Sequence, residues 1–251
     1  MLCSLLLSAI QTELTGGAAE LYSQALTGRH AAEIAKLKPT IKAATNGKTF
    51  SVIWKPISKP EKWIVTIHGS RGYATEDLAI WHRNLGDHKF GVVAVQWWLG
   101  KGQSDYLTPK EVYKEIDVTL KSLGVGPQTC IFQGFSRGAS NSYAIVAEDV
   151  GAGRYFRLAV ASSGEANLNY PPTRSIVHGG LRGTNWITVA GRNDPRPDRD
   201  GIEGMRRTAA WLKEQGADVI LQIEDEAGGH GALQTNPANA KKVLDLFLDQ
   251  R

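Results

Sequence analysis

Cysteine is scarce in this chain: 251 residues hold two, Cys3 and Cys130. Two thiols so far apart, with no C-x-x-C pair, exclude a disulfide framework and a cysteine-based zinc or redox site. Cys130 lies in an apolar run and reads as a small buried hydrophobe. Basic clusters are missing too. The net charge is +4, but Lys and Arg are scattered among Asp and Glu and never form a run of five. No nucleic-acid partner is expected from such a surface. Beyond the N-terminus no apolar run approaches the ~20 residues of a spanning helix, so no integral membrane segment is expected. Internal repeats and low-complexity linkers are absent as well.

What is present is apolar residue in quantity. At 42% hydrophobic over this length, the chain suits one large α/β domain with a sizeable core. The N-terminus supports two readings. "MLCSLLLSAI" followed by Gly17-Ala18-Ala19 fits a signal peptide within residues 1–19, which would send the protein to the periplasm or outside the cell. Yet no Lys or Arg precedes the run and Glu13 follows it, which suits a buried first helix of a cytoplasmic protein. Residues 14–44 read as amphipathic helix without a chemical motif. We therefore divide the chain into an N-terminal helical segment, 1–47, and one α/β domain, 48–251.

From Thr49 strands and helices alternate. "FSVIW", "KWIVTI", "FGVVAVQWW", "TCIFQ", "RLAVAS", "WITVA" and "DVILQI" read as strands. "LAIWHRNL" suits a helix. Thr108, Pro109 and Glu111 form a capping box with proline at the first helical position, and Gly124 stops that helix. "ASNSYAIVAEDV" suits another helix. Asp200 with Glu203 is expected to box the start of a helix through Met205, Ala209 and Leu212, and Asn236-Pro237 opens the last one. Strands apolar on both faces, separated by amphipathic helices, imply a mostly parallel central sheet with helices on both faces. The irregular stretch 163–185 has the length of an active-site loop and conceals at most a short helix.

The chemistry centres on Gly134-Phe135-Ser136-Arg137-Gly138, placed where "TCIFQ" gives way to a helix. G-x-S-x-G at such a junction is a nucleophile elbow: the turn is so tight that its flanks must be small, and the hydroxyl stands exposed at the carboxyl edge of the sheet. A serine hydroxyl needs a base, and the base an orienting acid. Asp194, after "WITVA", and His230, after "DVILQI", follow in the expected chain order and on the same sheet edge. Asp198, Asp200 and Glu165 are the competing acids. His30, His82, His88 and His178 fit the base position less well. An oxyanion hole would draw one backbone N–H from Arg137 and a second from Ser70 or Arg71, in the loop "HGSRG". Trp97, Trp98 and Tyr73 are candidates for lining a substrate pocket, with one indole expected to face the core. No metal-ligand pattern accompanies these residues.

The set "HGSRG", "GFSRG", "GRNDP", "GGHG", in this order, resembles the α/β-hydrolase superfamily over about residues 48–250. Within it the chain is similar to small single-domain serine esterases of the dienelactone-hydrolase-like, feruloyl-esterase-like and polyester-depolymerase-like kinds. It departs from the first of these in carrying Ser136 where they usually have cysteine. The resemblance implies a carboxylesterase that works through an acyl-enzyme, with Ser136, His230 and Asp194 as triad. It implies neither metal nor organic cofactor, no large cap domain, and a small-molecule or polymer-linked ester as partner. A peptidase or thioesterase with the same triad, or a non-catalytic binding protein of this shape, are the alternatives. Oligomeric state leaves no mark in these residues.

Overall fold

The structure is a computed structural model that describes residues 14–249. Cys3 and the leucine-rich part of the signal-peptide reading, 1–13, lie outside the described residues. The small triplet that ends that reading sits in helix α1 (Gly16–Ala25), with Ala18 buried.

The chain builds one eight-stranded sheet. Its strands are β1 (Thr40–Ala43), β2 (Phe50–Trp54), β3 (Trp63–Ile67), β4 (Gly91–Val95), β5 (Cys130–Phe135), β6 (Phe156–Ser162), β7 (Asn185–Gly191) and β8 (Asp218–Asp225). Their spatial order is β1-β2-β4-β3-β5-β6-β7-β8. The first two strands run antiparallel to their neighbours, and every pair from β4 to β8 is parallel. Successive side chains of a strand point to opposite faces, so one strand feeds two cores. In β3, Trp63, Val65 and Ile67 join the core under α4 (Pro109–Leu123), α5 (Arg137–Val150) and α7 (Ile202–Glu214). Ile64 joins the other, with α1, α2 (Ala31–Leu37), α3 (Ala74–Leu85), α8 (Ala232–Thr235) and α9 (Pro237–Asp249). Cys130 is a buried free thiol in the first core.

Helix α4 forms as its sequence dictates. Thr108 Oγ1 accepts from the Glu111 amide, Glu111 accepts from the Thr108 amide, and Gly124 takes the left-handed φ of 68° at the stop. Two readings are corrected. Thr40–Ala43 is a strand, not helix: Lys38 turns left-handed at φ 47°, Pro39 follows, and β1 then finds an antiparallel partner in β2. Asp200 does not cap α7, whose N-cap is Gly201, because its carboxylate is drawn to Arg196 at 2.6 Å. The irregular stretch 163–185 does conceal a short helix, the single turn α6 (Pro171–Arg174). Among the described residues no helix is long and apolar enough to cross a membrane.

A polar chain crosses the buried sheet beneath α3. Thr66 Oγ1 lies 2.7 Å from Gln133 Oε1 and 2.8 Å from Asp77 Oδ2. Gln133 Oε1 also accepts from the Trp81 indole at 3.2 Å, which identifies it as the carbonyl oxygen. A hydroxyl has one proton, so Thr66 donates to Gln133 and Asp77 supplies the proton of the other bond. Burial is the main cause that raises the Asp77 carboxyl from 3.8 to about 7. The sign follows. The folded state holds this proton more tightly than the unfolded one, so the stabilisation is whole below about pH 4 and is lost as pH rises through 7. Urea unfolding of the wild type is expected to lose stability over that window. Asp77→Asn, which cannot ionise, is expected to flatten the curve and to be the more stable protein at pH 8. Parallel curves for the two proteins would contradict a protonated Asp77.

Candidate active site

The site sits at the carboxyl ends of the central strands. β4 lies on one side of β3 and β5 on the other, so the loops after β3 and β5 diverge and leave a crevice, where ligands gather in open α/β sheets. Register places Ile67 of β3 beside Gly134 of β5, which brings the His68-Gly69-Ser70 loop against the elbow.

Ser136 is the hinge residue between β5 and α5, with φ 53° and ψ −117°. A non-glycine residue there carries about 1–3 kcal/mol of backbone strain. The surroundings enforce it: the Ser136 amide donates to Ser162 O at 2.8 Å. The two glycines are sterically required. A Cβ on Gly134 would stand 2.6 Å from Gly138 O, and one on Gly138 would stand 2.7 Å from His68 O.

The loops after β7 and β8 are tied together. The Arg192 amide donates to Asp225 O and the Asn193 amide to Gly228 O, both at 2.9 Å. The Asp225 carboxylate accepts from Asn236, Asn239 and the Gly228 amide, which holds its pKa low and fixes the turn before His230. As a result His230 Nε2 lies 2.8 Å from Ser136 Oγ, and His230 Nδ1 lies 2.7 Å from Asp194 Oδ2. The Asp194 side chain has no exposed surface, and its other oxygen accepts from the Arg196 amide at 2.8 Å. A carboxylate can only accept, so Nδ1 carries the imidazole proton and Nε2 offers its lone pair to the serine hydroxyl.

None of the competing acids reaches His230 in place of Asp194. Glu165 accepts from Arg207 at 2.9 Å. Asp198 is exposed, and its bond to Arg207 runs through the backbone carbonyl rather than the carboxylate. Asp200 pairs with Arg196. Asp194, Asp200 and His230 could between them offer three metal ligands within 4.8 Å. The Arg196 guanidinium, 2.6 Å from Asp200 Oδ2 and 3.3 Å from His230 Nε2, already takes the donors a cation would need.

The free backbone donors are also placed. The Arg137 amide opens α5, where the first N–H groups of a helix have no internal acceptor. Gly69 passes so close to the elbow that a Cβ on it would lie 3.2 Å from Ser136 Cβ. The Arg71 amide donates to the Tyr106 hydroxyl at 2.8 Å and is spent. Among the described residues the Ser70 amide, like that of Gly69, meets no protein acceptor, so it stays available as a donor. His68 is fully buried, its pKa pushed down to about 4 by desolvation, and its neutral ring donates from Nδ1 to Gly69 O at 2.8 Å. It braces the loop rather than facing the crevice.

The aromatic pocket readings are corrected. A cleft of about 230 Å³ opens beside Ser136, and neither Trp97, Trp98 nor Tyr73 lines it. β4 ends at Val95, so the indoles turn inward. Trp97 is buried and donates to His68 O, whereas Trp98, packed at 5.9 Å from the Tyr73 ring, donates to Gly102 O. Only the expectation that one indole would face the core holds. The sequence reading missed Tyr106, Tyr170 and Arg199. They lie in irregular loops and carry no local motif.

No family model matches the chain, and no curated protein matches it in sequence. Solved structures do. An esterase from Rhizomucor miehei superposes with a TM-score of 0.63 at 14% identity, covering 92% of this chain and 94% of that one. A carboxylesterase from Mesorhizobium loti gives 0.62 at 16% identity, over 83% and 99%. A thermophilic esterase from Thermogutta terrifontis, solved with butyrate bound, gives 0.60 at 15%, over 84% and 93%. The chain has the α/β-hydrolase fold.

Proposed function

We propose that this protein is a carboxylic ester hydrolase that forms an acyl-enzyme on Ser136. The observation that carries the reading is the unbroken run of short hydrogen bonds from Ser136 Oγ through the His230 imidazole to the buried Asp194 carboxylate. Attack of Oγ on the ester carbonyl passes its proton to Nε2. Asp194 keeps the imidazole in the Nδ1–H form and stabilises the cation that results. The amides of Arg137 and Ser70 face the developing oxyanion, aided by the N-terminus of α5. His230 returns the proton to the leaving alcohol, then takes one from a water that cleaves the acyl-enzyme. The neighbours in fold are esterases, one of them holding butyrate, which favours esters over amides as the first substrates to try.

A fluorophosphonate probe is expected to label the protein once, on the peptide containing Ser136, and to fail on Ser136→Ala. A panel of acetyl and butyryl esters, thioesters and aminoacyl amides then ranks leaving groups. A clear amide preference, or labelling elsewhere, would defeat the ester assignment.

A further inference from the structure

Every residue that lines the cleft beside Ser136 is polar, with Tyr170 the source of its aromatic ring. A plain alkyl ester meets no wholly apolar side chain there, whereas binding clefts for such groups are lined mainly by them. The charges are unbalanced as well. Arg137, Arg196 and Arg199 face two carboxylates, Glu165 and Asp200. Glu165 is already bound by a further guanidinium, that of Arg207, and Asp200 is shared between Arg196 and Arg199.

Arg137 is the group left over. It is half-buried, adjoins the elbow serine, and has no carboxylate within salt-bridge range among the described residues. Its guanidinium lies over the Tyr106 ring at 4.6 Å from the centroid. That ring is itself pinned, because its hydroxyl accepts from the Arg71 amide and its backbone bridges to Trp98. A stacked guanidinium keeps its in-plane donors free and loses little freedom when it binds a planar anion. A partly desolvated cation without a partner is costly unless an anion arrives to pair with it.

We infer that the substrate is an ester that also carries a carboxylate, and that Arg137 is the residue that recognises it, with Arg196 beside it. This rests on the ester reading above. The carboxylate can belong to the acyl part or to the alcohol part, and two matched pairs separate these. Mono(4-nitrophenyl) adipate against 4-nitrophenyl hexanoate probes the acyl side. 4-Acetoxybenzoate against its methyl ester probes the alcohol side.

The anionic member of at least one pair is expected to show kcat/KM about tenfold higher, the worth of one charge-assisted bidentate contact at a partly exposed site. The preference should shrink as ionic strength rises, a readout on the wild type that depends on no variant. It should fall towards unity in Arg137→Gln and survive in part in Arg137→Lys. Equal or faster hydrolysis of the neutral member in both pairs overturns the inference, as does an undiminished preference in Arg137→Gln. Neutral esters hydrolysed through Ser136 without charge preference would remove this inference and leave the esterase standing. No hydrolysis of any of the four esters would remove both.

Discussion

Alanine at position 136 is expected to lower kcat on p-nitrophenyl butyrate by about six orders of magnitude, the size of loss seen when a serine triad is deprived of its nucleophile. The remaining rate would come from the oxyanion donors and binding alone. The fold should be indifferent to the change. Alanine keeps the φ of 53° at the elbow and gives up one hydrogen bond, to His230 Nε2. Glycine tolerates that φ without a Cβ clash, so Ser136→Gly is expected to melt no lower than Ser136→Ala while being equally inactive. Thermal melts and steady-state rates on the three proteins check both halves. An alanine variant within tenfold of the wild type would mean that Ser136 is not the nucleophile.

Asparagine at position 194 is expected to reduce kcat by about 10⁴, less than loss of the serine. The amide can donate where the carboxylate could only accept, so the imidazole turns its lone pair to Nδ1 and places its proton on Nε2. The nitrogen facing Ser136 Oγ then has no lone pair for the hydroxyl proton. Glu165→Gln and Asp200→Asn leave that tautomer alone, because their carboxylates bond Arg207 and Arg196 instead. Each is expected to stay within about tenfold of wild type, the scale of one charged contact. A larger loss for Glu165→Gln than for Asp194→Asn would move the acid to the loop after β6.

The elements that carry these groups were legible wherever local chemistry decides local structure. The capping box at Thr108 and Glu111 appears as read, since a cap needs only its own four residues. The G-x-S-x-G turn was legible for a similar reason: any Cβ at Gly134 or Gly138 meets backbone. Thr40–Ala43 misled because a strand is stabilised by a partner, here β2, that lies beyond any local window. Asp200 misled because two arginines in the same turn outbid the helix end for its carboxylate. Trp97 and Trp98 misled because where a strand stops decides which way its last side chains face, and β4 stops at Val95.

By itself the sequence determined the alternation of strands and helices, the elbow, and the chain order of serine, acid and base, all of which follow from short-range sterics and periodicity. Only the tertiary structure decided which acid meets His230, that the Arg71 amide is spent on Tyr106, and that the cleft is lined by guanidinium groups rather than indoles. Those choices depend on distances between loops that are far apart along the chain. They are settled only when the sheet sets its register and each charge has selected the partner nearest in space.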